Sequence, residues 1–246
     1  MDRRTATTAI ASLLLGACGG GGGGAGVAAP AAASAPASAG GGTAETASAA
    51  SPAPQFVARV SPNVALWGDS LTGPMGFNLQ LLYPNRQVFN GGVPGETSSQ
   101  VASRAVADTA HDDWITVFWY GHNNQTQSAQ IKADIARSIA SLAPGNNRFI
   151  VMSLVNQATP RESRGSADYA TIQQLNAELA AAYPQNYLDI RSYLVGLADP
   201  NSPQDRLDQQ NDVPPSSLRF DHIHLNNEGS VAVARKLQDF IASKAW

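Results

Sequence analysis

Residues 114–120 read Trp-Ile-Thr-Val-Phe-Trp-Tyr, and Gly121-His122-Asn123-Asn124 follows at once. A β-branched and aromatic run without charge predicts a central strand. A strand apolar on both faces must be covered on both, which is the habit of parallel sheets. Working outward, residues 63–67 predict a buried strand stopped by Gly68, residues 87–90 a weaker one, residues 149–155 (FIVMSLV) a fourth and residues 187–190 a short fifth. Helical spacing falls between them. Ile131, Ile135, Ile139 and Leu142 recur before Pro144-Gly145, and Ile172, Leu175, Leu179 and Tyr183 before Pro184. Val233, Leu237, Phe240 and Ile241 mark a last helix. The alternation predicts one doubly wound, flavodoxin-like α/β domain of three layers, with a central five-stranded parallel sheet of order 2-1-3-4-5. Ligands of such folds sit outside the carboxyl ends of the strands, so the residues after each strand are the ones to inspect.

The chain has 246 residues, a net charge of −3 and a single cysteine, Cys18. That balance implies no basic face for nucleic acid. One cysteine excludes an intramolecular disulfide and a cysteine-based zinc site. Arg3 and Arg4 precede an apolar run through Leu13, Leu14 and Leu15, too short to span a bilayer. The run ends Leu15-Gly16-Ala17-Cys18-Gly19 and resembles a bacterial lipobox. That resemblance implies a signal peptide over residues 1–17, lipidation of Cys18 and export to the envelope. Gly19 points to the outer membrane, and the lipid is the only membrane contact expected. Residues 18–54, rich in Gly, Ala, Ser and Pro, predict a disordered tether. Function is then expected of residues 55–246, as a monomer.

Four segments lie at the predicted strand ends or before the last helix. They are Gly68-Asp69-Ser70-Leu71-Thr72, Gly91-Gly92-Val93-Pro94-Gly95-Glu96-Thr97-Ser98, Gly121-His122-Asn123-Asn124 and Asp221-His222-Ile223-His224-Leu225-Asn226. A serine hydroxyl becomes a nucleophile only beside a base, and Ser70 sits where a strand turns into a helix; capping that helix is its alternative role. The base requires an orienting carboxylate. Asp221 is three residues from His224, while His222 is equally close. Asp221, His222 and His224, with His122, also carry the donor types of a zinc site. Asn123, at a strand end, suits an Asx turn.

The four segments, in this order, resemble the blocks of the SGNH (GDSL) hydrolases across essentially all of residues 60–246. The resemblance implies Ser70 as nucleophile, His224 as base through the Asp-x-x-His pattern and Asp221 as its orienting acid. It further implies an oxyanion hole of Ser70, Gly95 and Asn123, with Gly91 or Gly92 as fallback for Gly95. Neither a metal nor an organic cofactor is required. Asn124 stands where the family often has aspartate, and Asp69 is expected to orient the turn. The expected activity is hydrolysis of short-chain or O-acetyl esters of small-molecule, glycan or lipid substrates. An envelope glycan O-acyltransferase using the same site and a non-catalytic tethered binding module are the alternatives. Trp67, Trp119 and Tyr120 are expected in the core, and residues 198–219, polar and proline-rich, as a loop lining the substrate pocket.

Overall fold

The computed structural model describes residues 60–246. The expected signal peptide, Cys18, the tether and residues 55–59 lie outside the described residues. Five strands, β1 (Val64–Gly68), β2 (Val88–Gly92), β3 (Ile115–Trp119), β4 (Phe149–Met152) and β5 (Tyr187–Leu188), form one parallel sheet of order β2-β1-β3-β4-β5. The expected order and strand number are both observed. Seven helices connect and flank the strands: α1 (Thr72–Leu82), α2 (Ser98–Ala107), α3 (Ser128–Ala140), α4 (Ala167–Ala182), α5 (Ile190–Val195), α6 (Pro203–Gln210) and α7 (Asn227–Ser243).

The two-residue period of the strands sorts side chains into two cores. Val64 and Leu66 of β1, Ile115, Val117 and Trp119 of β3, and Ile150 and Met152 of β4 pack with α1, α5 and α7. Trp67, Phe118, Tyr120 and Val151 point the other way and pack with α2, α3 and α4. The result is the three-layer α/β sandwich that apolar strands demand. Trp67, Trp119 and Tyr120 are buried, as expected of core residues.

Two local expectations are corrected. The strand predicted over residues 149–155 ends at Met152. Leu154 and Val155 are buried as their apolarity requires, but side chains take their backbone groups. Asn176 accepts from the Leu154 N–H at 2.8 Å and donates to the Leu154 carbonyl at 2.9 Å, so no ladder continues. The second correction concerns residues 198–219, which contain α6. Ser202 caps it by accepting from the Asp205 N–H, and Pro203 occupies its first turn. Its buried residues are Asp205 and Asp208 rather than an apolar stripe, so hydrophobic spacing carried no sign of it.

The tightest backbone approach lies where β1 leaves the sheet. A Cβ on Gly68 would stand 1.9 Å from Thr72 Oγ1 and 2.4 Å from the Trp119 carbonyl oxygen. Thr72 Oγ1 itself donates to that carbonyl at 3.2 Å. Gly73, five residues on, has open space around its missing Cβ. Gly68→Ala is therefore expected to cost about 3 kcal/mol or more, by forcing β1, α1 and β3 apart. Gly73→Ala should be neutral or stabilise by up to about 1 kcal/mol. Urea denaturation of both variants measures the contrast.

Candidate active site

The carboxyl ends of β2, β1 and β3 are adjacent, so the segments that follow them meet at one edge of the sheet. After β1, Asp69 is buried, and its Oδ1 accepts from the Leu71 N–H at 3.1 Å. Its carbonyl accepts from Thr72 N. Burial pushes the Asp69 carboxyl up, partly offset by the Leu71 N–H. Asp69 thus shapes the turn, and Ser70, half-buried, sits on it.

Ser70 Oγ lies 3.0 Å from His224 Nε2, and His224 Nδ1 lies 2.7 Å from Asp221 Oδ2. The other carboxylate oxygen, Asp221 Oδ1, accepts from the backbone N–H groups of Ile223 (2.8 Å) and His224 (2.7 Å). A carboxylate only accepts, so Nδ1 carries the ring proton and Nε2 presents its lone pair to the serine hydroxyl. Partial burial works to raise the Asp221 carboxyl. The hydrogen bonds from the His224 ring and the two N–H groups outweigh it and hold Asp221 well below the usual carboxylate range.

A short hairpin carries this pair. Arg219 bridges Leu225 in antiparallel fashion, Phe220 N donates to the His224 carbonyl at 3.1 Å and Asn226 N to the Leu218 carbonyl at 3.0 Å. Asn226 then caps α7 by accepting from the Gly229 N–H. Arg219 locks the hairpin from below. It donates to the Pro214 carbonyl (2.7 Å), to the Asp221 carbonyl (2.7 Å) and to Asp208 of α6 (2.8 Å). The Asp208–Arg219 pair is buried, with side-chain exposures of 6% and 8%. Phe220 is 70% exposed and stacks on the His224 ring, centroids 5.5 Å apart and planes 10° from parallel.

The second and third segments are tied to each other and to the first. Val93 N donates to the Gly68 carbonyl at 3.1 Å, and Asn123 Nδ2 donates to the Glu96 carbonyl at 2.9 Å. Gly95 lies on the turn between Val93 and Glu96, exposed and with φ +79, a conformation that favours glycine. Among the described residues, neither the Ser70 nor the Gly95 N–H donates to a protein acceptor. Of the fallback glycines, Gly92 N donates to Asn90 Oδ1 at 3.2 Å, and Gly91 stands opposite Trp67 in the β1–β2 pairing. Asn124 exchanges two hydrogen bonds with Ser98, at the start of α2. Ser98 in turn donates to buried Asp134 at 2.7 Å. Arg104 was not singled out from the sequence. It donates to the Gly91 carbonyl (2.9 Å) and pairs with Glu96 (2.5 Å), bracing the Gly95 turn from α2.

His222 and His122 stand outside this chain of hydrogen bonds. His222 is exposed, and its carbonyl accepts from Ala158 N at 2.8 Å. His122 is buried, with Nδ1 donating to the Val155 carbonyl at 3.0 Å and Nε2 facing the Gln157 amide at 3.0 Å. Among the described residues, no three His, Cys, Asp or Glu side chains converge as metal ligands.

No family model matches the chain, and no curated protein matches its sequence. Solved structures do match. The lipase/acylhydrolase from Enterococcus faecalis is similar at 16% identity over 74% of this chain and 96% of its own, with a TM-score of 0.58. The acetyl xylan esterase AlAXEase is similar at 16% identity over 72% and 98%, with a TM-score of 0.57. A member of the lipolytic G-D-S-L family from Veillonella parvula is similar at 15% identity over 73% and 97%, with a TM-score of 0.55. The chain has the fold of these proteins, as its four sequence segments led one to expect.

Two outcomes follow from this geometry. Arg219→Leu leaves Asp208 as a buried, unpaired charge and is expected to lose about 3 kcal/mol of stability, measured by urea denaturation. Asp221 has a folded pKa below its unfolded value of about 4. Its contribution to stability is therefore present above that pH and lost as the pH falls through and below it. The stability gap between wild type and Asp221→Asn should shrink over the same window, as acid titrations of the two will show.

Proposed function

We propose that the chain is a carboxylic-ester hydrolase acting through an acyl-enzyme on Ser70. The observation that carries this reading is the unbroken hydrogen-bonded series from Asp221 to His224 to Ser70, with the imidazole lone pair turned to the hydroxyl. His224 takes the Ser70 proton as Oγ attacks the ester carbonyl, then returns it to the departing alkoxide. Water repeats the sequence: His224 removes its proton, the acid leaves and the Ser70 hydroxyl is restored. Asp221 keeps Nδ1 protonated and stabilises the imidazolium that each step forms. Its depressed pKa keeps it ionised while doing so.

The tetrahedral oxyanion needs donors that are already in place. The N–H groups of Ser70 and Gly95 have no other protein acceptor among the described residues. Asn123 spends one amide hydrogen on the Glu96 carbonyl and has a second to give. The solved structures of similar fold include a lipase/acylhydrolase and an acetyl xylan esterase, which supports acyl transfer to water. Short-chain or O-acetyl esters are the proposed substrates, and no cofactor enters the scheme. Export and anchoring through Cys18 complete the proposal.

Ser70→Ala should abolish p-nitrophenyl acetate turnover, a loss of several orders of magnitude, together with labelling by a serine-reactive fluorophosphonate. Asn123→Ala should lower kcat by about 10²- to 10³-fold while still accepting the label. Turnover that survives Ser70→Ala sinks the proposal.

A further inference from the structure

An open cleft of about 420 Å³ borders Asn123. Thr97, Asn123, Gln125, Thr126, Gln127 and Gln157 line it, with Asn124, Arg161 and Glu162 completing the wall. No apolar side chain is among them. Its two charged groups each have a protein partner. Arg161 pairs with Asp168. Buried Glu162 accepts from Gln125 Nε2 at 2.9 Å and from the Gln157 N–H at 2.7 Å.

Those bonds fix which amide atoms stay free. Gln125 spends its nitrogen on Glu162, leaving its carbonyl oxygen available. The Val155 carbonyl can only accept, so His122 Nδ1 is the donor and His122 Nε2 accepts from Gln157 Nε2. That orientation leaves the Gln157 carbonyl oxygen free as well. Gln127 accepts from Asn124 through its oxygen and keeps its nitrogen free. The wall thus holds free acceptors (Gln125 and Gln157) and a free donor (Gln127), beside an arginine and a glutamate that are each already paired.

Such a wall complements a group that both donates and accepts hydrogen bonds. It suits an alkyl chain poorly, because a methylene packed against these amides displaces water from them without offering a hydrogen bond in return. We propose that this cleft seats the alcohol half of the ester and takes a neutral sugar. The inference rests on the ester-hydrolase reading and adds a substrate class to it. With the ester carbonyl against Asn123, an acetyl group needs little room, and the sugar hydroxyls face Gln125, Thr126 and Gln157.

The test compares two acetates that differ only in the alcohol, mono-acetylated cellobiose and ethyl acetate, with hexyl acetate as the apolar control. Wild type is expected to favour the sugar ester in kcat/KM by about tenfold or more over ethyl acetate. Gln125→Ala should reduce that ratio by about tenfold, the worth of one or two hydrogen bonds. Thr126→Trp, at an exposed position, fills the cleft without touching the Glu162 network and should reduce the ratio as much. A ratio near one, a preference for hexyl acetate, or a ratio that neither variant moves overturns the inference.

Binding is read separately, by side-chain amide shifts in NMR titrations of Ser70→Ala with cellobiose. Shifts at Gln125 and Gln157 that vanish when Thr126→Trp is added support the cleft even if no ester is hydrolysed. No shift in a protein whose wild type hydrolyses ethyl acetate overturns the cleft and leaves the hydrolase standing.

Discussion

At the carboxyl end of β1 the chain has no room for a side chain. The Gly68 Cα faces Thr72 Oγ1 and the Trp119 carbonyl closely enough that any Cβ would overlap both. This contact draws the start of α1 down onto the end of β3, and Thr72 seals it with a hydrogen bond to Trp119. Ser70 lies between the two clamped residues. Its position relative to Asn123, four residues beyond Trp119, is therefore set by backbone packing within the sheet. On the other side, Gly92 approaches Gly73 N so closely that a Cβ would stand 2.6 Å from it. Three strand ends are locked at van der Waals distance before any side chain of the candidate site is considered.

Beyond the ends of the strands, polar side chains take over from the ladder. Asn176 holds both backbone groups of Leu154, Asn124 holds Ser98, Arg104 holds Gly91 and Glu96, and Arg219 holds Pro214 and Asp221. Irregular backbone at a sheet edge must find partners for its N–H and C=O groups. Drawing those partners from side chains on neighbouring helices also determines where each loop points. The Gly95 turn is the clearest case. It is exposed and has no packing of its own, yet Arg104 pulls on one side and Asn123 on the other.

The sequence made the sheet legible because its strands are apolar on both faces, a pattern few other elements produce. α3, α4 and α7 were legible by their spaced apolar residues. α1 was not, because it buries Thr72, Gly76 and Asn78 beside Met75 and Leu79 while exposing Phe77 and Leu81. α6 was hidden for the opposite reason, burying two aspartates, although Ser202 and Pro203 do carry the capping signal. Ser70, Asp221, His224, Gly95 and Asn123 could be nominated because each lies in a short motif at a strand end or before a helix, and the family resemblance singled out His224 over His222, Gly95 over Gly91 or Gly92, and Asn123 for the oxyanion. Arg104 and Arg219 could not. Their partners lie on other elements, and an arginine in isolation looks like any solvated charge.

Arg219 also explains why a helix would bury acids at all. A buried ion pair contributes little net stability, since desolvating two charges offsets most of their attraction, and apolar residues of similar size pack at least as well. Stability is therefore a weak reason for Asp208 and Arg219. Direction is a better one. An apolar contact would hold the hairpin against α6 but leave it free to slide. A guanidinium with one fork arm on Asp208 and another on the Asp221 carbonyl fixes the hairpin in orientation as well as depth. Asp205 works in the same way, accepting from Ser216 and Ser217 and so anchoring the chain that leads into the hairpin. The proposed chemistry requires the His224 ring to meet Ser70 Oγ at hydrogen-bond distance and with its lone pair in line. That requirement is angular, and directional bonds meet it where packing alone does not.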